Sequence, residues 1–179
     1  MQKKEFFDKY SDAVIRATSG TQIYPSVKMA QMIVESGWGS SDTARLANNM
    51  FGIKKGTGWT GKTMTFNTPN DANKKSVFRK YDSPEDSIKD HSSFLISNPR
   101  YKKFGVFSAT TPEAQCYALE RSGYAEAEDY GDYLITLIRQ NKLKQLDNKQ
   151  KVNPFANFIW YSPLVFFFLV ILYIVLKKH

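Results

Sequence analysis

Cysteine and histidine are scarce in this chain. Cys116 is the single cysteine, so no disulfide can form within the chain and the fold cannot depend on one. The sequence holds two histidines, and together with one cysteine they make no cluster at the spacing of metal ligands. A disulfide-stapled scaffold and a zinc site are thereby excluded, and we expect the protein to work without a metal or another cofactor.

A recognisable signal peptide is also missing. Residues 1–14 are basic but have neither an apolar core nor a small-residue cleavage site. Acidic residues are in the minority, 17 against 25 lysines and arginines, which gives a net charge of +8. Such a charge favours anionic polymers, namely nucleic acid, anionic lipid or a cell wall. Because the lysines are scattered rather than striped along one helix, we expect no binding to nucleic acid.

Charge is absent altogether from one long run, residues 155–176. As a helix this run would extend roughly 33 Å, enough to cross the core of a bilayer, and aromatic residues lie toward its ends as they do at membrane interfaces. The sequence therefore predicts a C-terminal transmembrane helix after a polar linker at 147–154, with a short basic tail at 177–179. This makes the lipid bilayer a partner and the chain a single-pass membrane protein, placed in the membrane of a phage particle or in the host inner membrane.

Residues 1–146 read as one mainly helical domain. Apolar residues recur at helical spacing, and serine, threonine and proline mark the helix starts. Two alternating runs around a turn-rich centre over residues 57–81 indicate a β-hairpin lobe. The fold class is therefore α+β, mainly α. The predicted helices cover about 3–18, a segment from Pro25 to about 35, about 42–47, 83–98, 111–121 and 129–145.

The most informative stretch lies around Glu35, an acid that ends an apolar helix beside a glycine and a tryptophan. A carboxyl group leaving a hydrophobic turn is poorly solvated, so its pKa should rise. Such a group stays protonated near neutral pH and can give its proton to a leaving oxygen. Gly37 and Gly39 let the chain leave the helix abruptly, and Trp38 offers a flat apolar face on which a sugar ring or a neighbouring helix can lie.

Residues 35–40 (Glu-Ser-Gly-Trp-Gly-Ser) and 48–54 (Asn-Asn-Met-Phe-Gly-Ile-Lys) resemble the bacterial glucosaminidase family. These are lysozyme-like peptidoglycan hydrolases of flagellar wall-piercing proteins and autolysins. Further matching strings follow in the same order, at residues 59–61, 78–83, 98–101 and 122–125. Strings in register are a stronger signal than any one of them. The resemblance covers roughly residues 10–145 and implies a lysozyme-like domain with a small hairpin lobe, acting on peptidoglycan glycan strands.

The resemblance also assigns catalytic residues. Glu35 stands at the position of the family's essential catalytic acid. Family members often place a second glutamate in the hairpin, but residues 67–71 contain none, and Asp71 is the nearest candidate for the base. Either Asp71 activates a water, or the substrate's own N-acetyl group acts as the nucleophile. Tyr124 matches an aromatic residue of the family's active site, where its hydroxyl would orient water or the acetamido group; core packing is the alternative role.

Five further residues are expected to bind substrate. Phe51 lies in a string that also reads as a buried strand, and it is the residue most readily assigned to the core instead. His91 lies on a helix face and is expected to be packed or at the surface rather than catalytic. The expected substrate-binding residues are Trp38, Asn49, Phe51, Trp59 and Tyr130.

The leading functional interpretation is an endo-β-N-acetylglucosaminidase that cuts the β-1,4 bond after N-acetylglucosamine in peptidoglycan. The missing signal peptide and the charge-free run suggest a phage-type or virion-associated lytic enzyme carried on a membrane. A lytic transglycosylase is the first alternative, because it needs a single acid/base glutamate and forms an anhydro sugar. The second alternative is an inactive wall-binding module, which the missing hairpin glutamate favours and the intact surroundings of Glu35 oppose.

Overall fold

A computed structural model of the chain describes residues 2–68 and 71–152, with the backbone alone for 68, 71–74 and 150–152. Within these residues the fold is mainly helical with one antiparallel pair of strands, as the sequence predicted. The elements in chain order are α1 (Lys3–Thr18), α2 (Pro25–Ser36), α3 (Asp42–Ala47), β1 (Thr63–Thr68), β2 (Asp71–Arg79), α4 (Pro84–Ser97), α5 (Pro99–Lys103), α6 (Pro112–Arg121), α7 (Tyr130–Gln140) and α8 (Lys144–Val152).

Helix α2 lies at the centre of the helical domain, in contact with α1, α6, α7 and α8. Its apolar side chains are buried on all sides rather than on one stripe, which is typical of a helix enclosed by others. The buried apolar residues of α2 are Val27, Met29, Ala30, Met32 and Ile33. The same helix also buries polar side chains, which need partners inside the protein. These are Ser26, Lys28, Gln31 and Ser36.

The helix starts follow the predicted capping chemistry. Ser83 accepts a hydrogen bond from the backbone N–H of Asp86, and the Asp86 side chain accepts from the Ser83 N–H, which completes a capping box. Thr111 caps α6 by accepting from the Ala114 N–H. Pro84 occupies the first position of α4, where its missing N–H costs nothing. These two helix starts are confirmed.

The predicted β-hairpin is also confirmed. Its strands pair antiparallel from Thr63 opposite Arg79 to Asn67 opposite Lys75, and the register shifts before Thr68 pairs with Asp71. Phe66 and Phe78 are diagonal neighbours on one face of the hairpin, with ring centroids 5.8 Å apart. An isolated bridge from Lys54 to Phe78 ties the base of the hairpin to the segment that follows α3.

Two helical segments differ from the prediction. Pro99, which was expected to end a helix, also begins the short helix α5 because proline suits a first helical turn. The single helix predicted over 129–145 is divided at Lys142, whose φ of 54° turns the chain between α7 and α8. Helix α8 continues into the predicted linker, and there the buried Asp147 carboxylate accepts hydrogen bonds of 2.8 Å from the backbone N–H and the hydroxyl of Ser26.

The predicted transmembrane helix is corrected. Within residues 2–68 and 71–152 no helix is both long and apolar enough to cross a bilayer. The longest helix described, α1, has 16 residues and buries one face against its neighbours, whereas a span needs about 20 apolar residues. The fold class is therefore a mainly helical α+β domain with a two-stranded sheet, and the predictions of a single-pass membrane location and a bilayer partner are wrong on this finding. Residues 155–176, on which they fell, lie outside the described residues.

Candidate active site

The candidate site begins at the C-terminal end of α2. Glu35 is the penultimate residue of this helix, and Gly37 ends the helix in the left-handed conformation at φ 54°. Trp38 follows at φ 59°, which is uncommon for a residue with a side chain. Its ring packs at 5.5 Å and 5.6 Å from Phe6 and Phe7 of α1, and these contacts hold the turn in place. The chain therefore leaves the helix directly beside the acid, as the sequence predicted.

The Glu35 carboxyl is half-buried and has one described hydrogen-bond donor. The Tyr130 hydroxyl, at the start of α7, donates to Glu35 Oε1 at 3.3 Å. Burial disfavours the carboxylate and raises the pKa of Glu35 to about 7, although the hydrogen bond from Tyr130 opposes the rise. A sizeable fraction of Glu35 is consequently protonated at neutral pH, as a general acid requires.

Gln31 lies one helical turn before Glu35 and is fully buried. Its Nε2 is 3.4 Å from the Tyr130 hydroxyl, to which it donates. Its Oε1 has no hydrogen-bond partner among the described residues. Gln31 thus supports the tyrosine that contacts the acid.

Tyr124 joins the same cluster through its ring and its hydroxyl. The ring stacks on that of Tyr130, with centroids 5.5 Å apart and planes inclined by 18°. Its hydroxyl lies 3.0 Å from Nε2 of His91. Burial, reinforced by the nearby Tyr130 and Glu35, raises the pKa of Tyr124 well above its ordinary value, so the hydroxyl stays protonated. The structure therefore brings together Glu35, Tyr130 and Tyr124.

Two residues of this cluster were missed or set aside by the sequence analysis. His91, expected to be packed or at the surface, is fully buried and contacts Tyr124. Lys28 was not singled out, yet its Nζ is 3.0 Å from His91 Nδ1. The sequence offered one signal for this contact, namely a lysine within an apolar helix. Because lysines are rarely buried without a partner, such a position predicts a partner inside the protein.

Asn49 and Phe51 are placed in the interior. The Asn49 side chain is fully buried, and its amide bridges backbone groups of Ile53 and Arg79 over 2.8 to 3.0 Å. Phe51 is 3% exposed and stacks flat on His91, with ring centroids 3.8 Å apart. Asn49 therefore braces the chain beneath the hairpin, and Phe51 fixes the plane of the His91 ring.

Trp59 lies at the base of the hairpin. Its Nε1 donates to the Lys62 carbonyl at 2.9 Å, and its ring is covered by the Arg79 guanidinium at 4.6 Å and by Tyr81 at 5.6 Å. A Cβ on Gly61 would lie 2.5 Å from the Trp59 ring, so this close approach requires glycine. Trp59 thus belongs to a packed base, with part of its surface open to solvent.

Asp71 is the first residue of β2, and its backbone pairs with Thr68 where the register shifts. Its side chain lies outside the described atoms. In the described part of the chain, no group of three or more histidine, cysteine, aspartate or glutamate residues can hold a metal ion.

Comparison with known proteins shows which family and which relatives this chain resembles. The family model for glucosaminidase, described as mannosyl-glycoprotein endo-beta-N-acetylglucosaminidase, matches residues 11–143. The exo-glucosaminidase LytG of Bacillus subtilis is 30% identical over 159 residues, covering 86% of this chain and 55% of its own length. The peptidoglycan hydrolase FlgJ of Salmonella typhimurium is 31% identical over 163 residues, covering 86% of this chain and 50% of its own length. The chain thus spans about half the length of these relatives.

The similarity extends to three dimensions. The crystal structure of a peptidoglycan hydrolase from Sphingomonas sp. A1 matches with a TM-score of 0.69 and 30% sequence identity, covering 82% of this chain and 94% of that one. The match to the family model covers most of the described domain, including the turn after α2, the hairpin, Tyr124 and Tyr130. This chain therefore belongs to the glucosaminidase family of glycoside hydrolases.

Proposed function

We propose that this chain hydrolyses the β-1,4 bond after N-acetylglucosamine in peptidoglycan, as an endo-β-N-acetylglucosaminidase. The observation that carries the proposal is the half-buried Glu35 carboxyl, whose pKa is raised to about 7 by burial at the end of α2. The description of the matching family names an endo-β-N-acetylglucosaminidase, and the Sphingomonas structure is that of a peptidoglycan hydrolase. The function is assigned to the domain at residues 1–146. The predicted phage or virion role stays a prediction.

Glu35 acts as the general acid in this proposal. Its proton passes to the glycosidic oxygen while the bond from C1 to that oxygen breaks, and the leaving sugar departs as an alcohol. A water then adds to C1 and returns a proton to the Glu35 carboxylate, which balances the reaction. Proton donation of this kind contributes about 10² to 10⁴ to the rate.

The substrate's acetamido group takes the role of the second carboxylate. Its carbonyl oxygen attacks C1, and the Tyr124 hydroxyl orients it; water later opens the cyclic intermediate. The absence of glutamate from residues 67–71 and the protonated Tyr124 beside Tyr130 support this assignment. Asp71 as a base is the competing assignment, and its replacement by asparagine separates the two. Trp59, partly open beside the hairpin, is kept as the proposed sugar-stacking residue.

Product analysis tests the bond and the reaction together. Purified peptidoglycan is digested with the full chain, and the released fragments are identified by mass spectrometry after borohydride reduction. We expect fragments with reducing-end N-acetylglucosamine, and long oligosaccharides before short ones because cleavage is internal. Reducing-end N-acetylmuramic acid would overturn the bond assignment, and anhydro sugars would identify a transglycosylase. Loss of sugars only from chain ends would indicate exo cleavage, and undegraded glycan bound to the protein would indicate a binding module.

A further inference from the structure

A lysine is buried at the centre of the fold. Lys28 of α2 is 0% exposed, and no carboxylate lies within ion-pair distance of it among the described residues. Burial lowers the pKa of Lys28 well below its ordinary value, although Asp90 acts in the opposite direction. Burial and Lys28 likewise lower the pKa of His91, so the imidazole is neutral. A neutral imidazole carries its proton on one nitrogen only, and its neighbours decide which one.

The hydrogen bonds around Lys28 have a direction that begins at a backbone carbonyl. The Ala17 carbonyl can only accept, and the Ser92 hydroxyl donates to it at 2.7 Å. The Ser92 oxygen is therefore left as an acceptor, and Lys28 Nζ donates to it at 2.9 Å. Lys28 Nζ also lies 3.0 Å from His91 Nδ1, and donation of a second Nζ hydrogen to this nitrogen would continue the same direction.

An acceptor at Nδ1 places the His91 proton on Nε2. That nitrogen is 3.0 Å from the Tyr124 oxygen, which then accepts. Tyr124 has no other described hydrogen-bond partner, so its own proton remains available to donate. The flat stack of Phe51 on His91, with planes inclined by 2°, prevents the imidazole from turning its two nitrogens away from these partners.

We propose that Lys28 and His91 are positioning residues that make the Tyr124 hydroxyl a hydrogen-bond donor to the substrate beside Glu35. Lys28 fixes the His91 tautomer, and His91 fills the acceptor side of the Tyr124 oxygen. The inference rests on the proposed function, in which Tyr124 contacts the acetamido carbonyl, an acceptor that needs such a donor. If Lys28 instead accepted a proton from Nδ1, the two bonds of His91 would reverse and Tyr124 would donate to His91.

Nitrogen NMR of the full chain, labelled with ¹⁵N at histidine, tests the direction of these bonds without any substrate. The chain has two histidines, so the signals are assigned by replacing His179 with glutamine. We expect His91 as the neutral tautomer with its proton on Nε2 at neutral pH. A proton on Nδ1, or an imidazolium, overturns the inference, whether or not the chain proves to be a glucosaminidase.

A double-mutant cycle tests the consequence for catalysis. Lys28→Met keeps the volume of the side chain but cannot donate, and we expect kcat to fall about tenfold with little change in KM. The same substitution in a Tyr124→Phe background should cost nothing further, because the donor is already missing. Equal losses in both backgrounds would show a merely structural role and overturn the inference. Lys103→Met, on the surface, controls for loss of a lysine.

His91 variants provide a rescue that does not require Lys28 to be changed. His91→Gln keeps a donor near the position of Nε2, whereas His91→Phe keeps the stack on Phe51 and loses the donor. We expect His91→Gln to retain several times the kcat of His91→Phe at equal thermal stability. Equal activities would overturn the role of the Nε2 proton.

If wild-type products are not those of a glucosaminidase while His91 has the expected tautomer, the proposed function fails and the bond direction stands.

Discussion

Helix α2 and the β-hairpin are held in opposite ways. Ten residues of α2 are buried, because four other helices enclose it. No described residue of the strands, 63–67 or 75–79, is buried, and the strands pair mainly with each other. The base of the hairpin is fixed to the domain, for example through Arg79 and Tyr81, which both donate to Asp90 at 2.7 Å. The acid is therefore positioned by the whole core, whereas the hairpin can vary in sequence at little cost.

The largest expected effect of a substitution on activity is at Glu35. Glu35→Gln keeps the size of the side chain but has no acidic proton to give, and we expect the rate of peptidoglycan hydrolysis to fall about 10³-fold. The measurement is kcat from release of reducing ends, with Glu5→Gln on the exposed face of α1 as the matched control. A loss of less than about tenfold would remove Glu35 from the role of general acid.

The next effect concerns the brace beneath the hairpin. Asn49→Ala leaves buried backbone groups of Ile53 and Arg79 unpaired, and we expect the free energy of unfolding to fall by about 3 kcal/mol. Asn67→Ala, on the exposed face of β1, should change it by less than about 0.5 kcal/mol. Urea unfolding measures both. Similar losses at the two positions would contradict the contrast between a buried core and an open hairpin.

A third prediction concerns the stability cost of holding Glu35 in the core. The folded pKa of about 7 lies above the ordinary value of 4.5, so the contribution of Glu35 to stability is fully present below pH 4.5 and is lost as the pH rises through 7. Glu35→Gln has no carboxyl group to ionise, so this loss of stability with rising pH is removed. We expect the variant to match wild type at pH 4 and to be more stable by at most about 3 kcal/mol at pH 8. Urea unfolding at both pH values measures it, and a difference independent of pH would contradict it.

The smallest effect is expected in the hairpin. If the acetamido group is the nucleophile, Asp71→Asn should leave kcat within about threefold of wild type, which corresponds to less than about 0.7 kcal/mol. The same reducing-end assay measures it beside Glu35→Gln. A loss of about 100-fold would instead assign Asp71 as the catalytic base and would place essential chemistry on the open lobe.

The parts of the fold and of the candidate site that could be predicted from the sequence depend on local signals. The caps at Ser83 and Thr111, the start of α2 at Pro25 and the turn residues of the hairpin act over a few positions, so they can be read from neighbouring letters. The same holds for Glu35 between an apolar helix and a glycine turn. The division between α7 and α8 was missed because it depends on docking: Asp147 bonds to Ser26, 121 positions away.

The sequence by itself determined the family, the helix and hairpin order and the candidate for the acid, because each rests on residues that are adjacent or regularly spaced. Only the tertiary structure decided that Asn49 is a buried brace, that Tyr130 contacts Glu35 from 95 positions away and that Lys28 meets His91 across 63 positions. The physical reason is that burial and hydrogen bonding depend on the whole packed interior. They set the pKa of an acid and the tautomer of a histidine through groups that are distant along the chain.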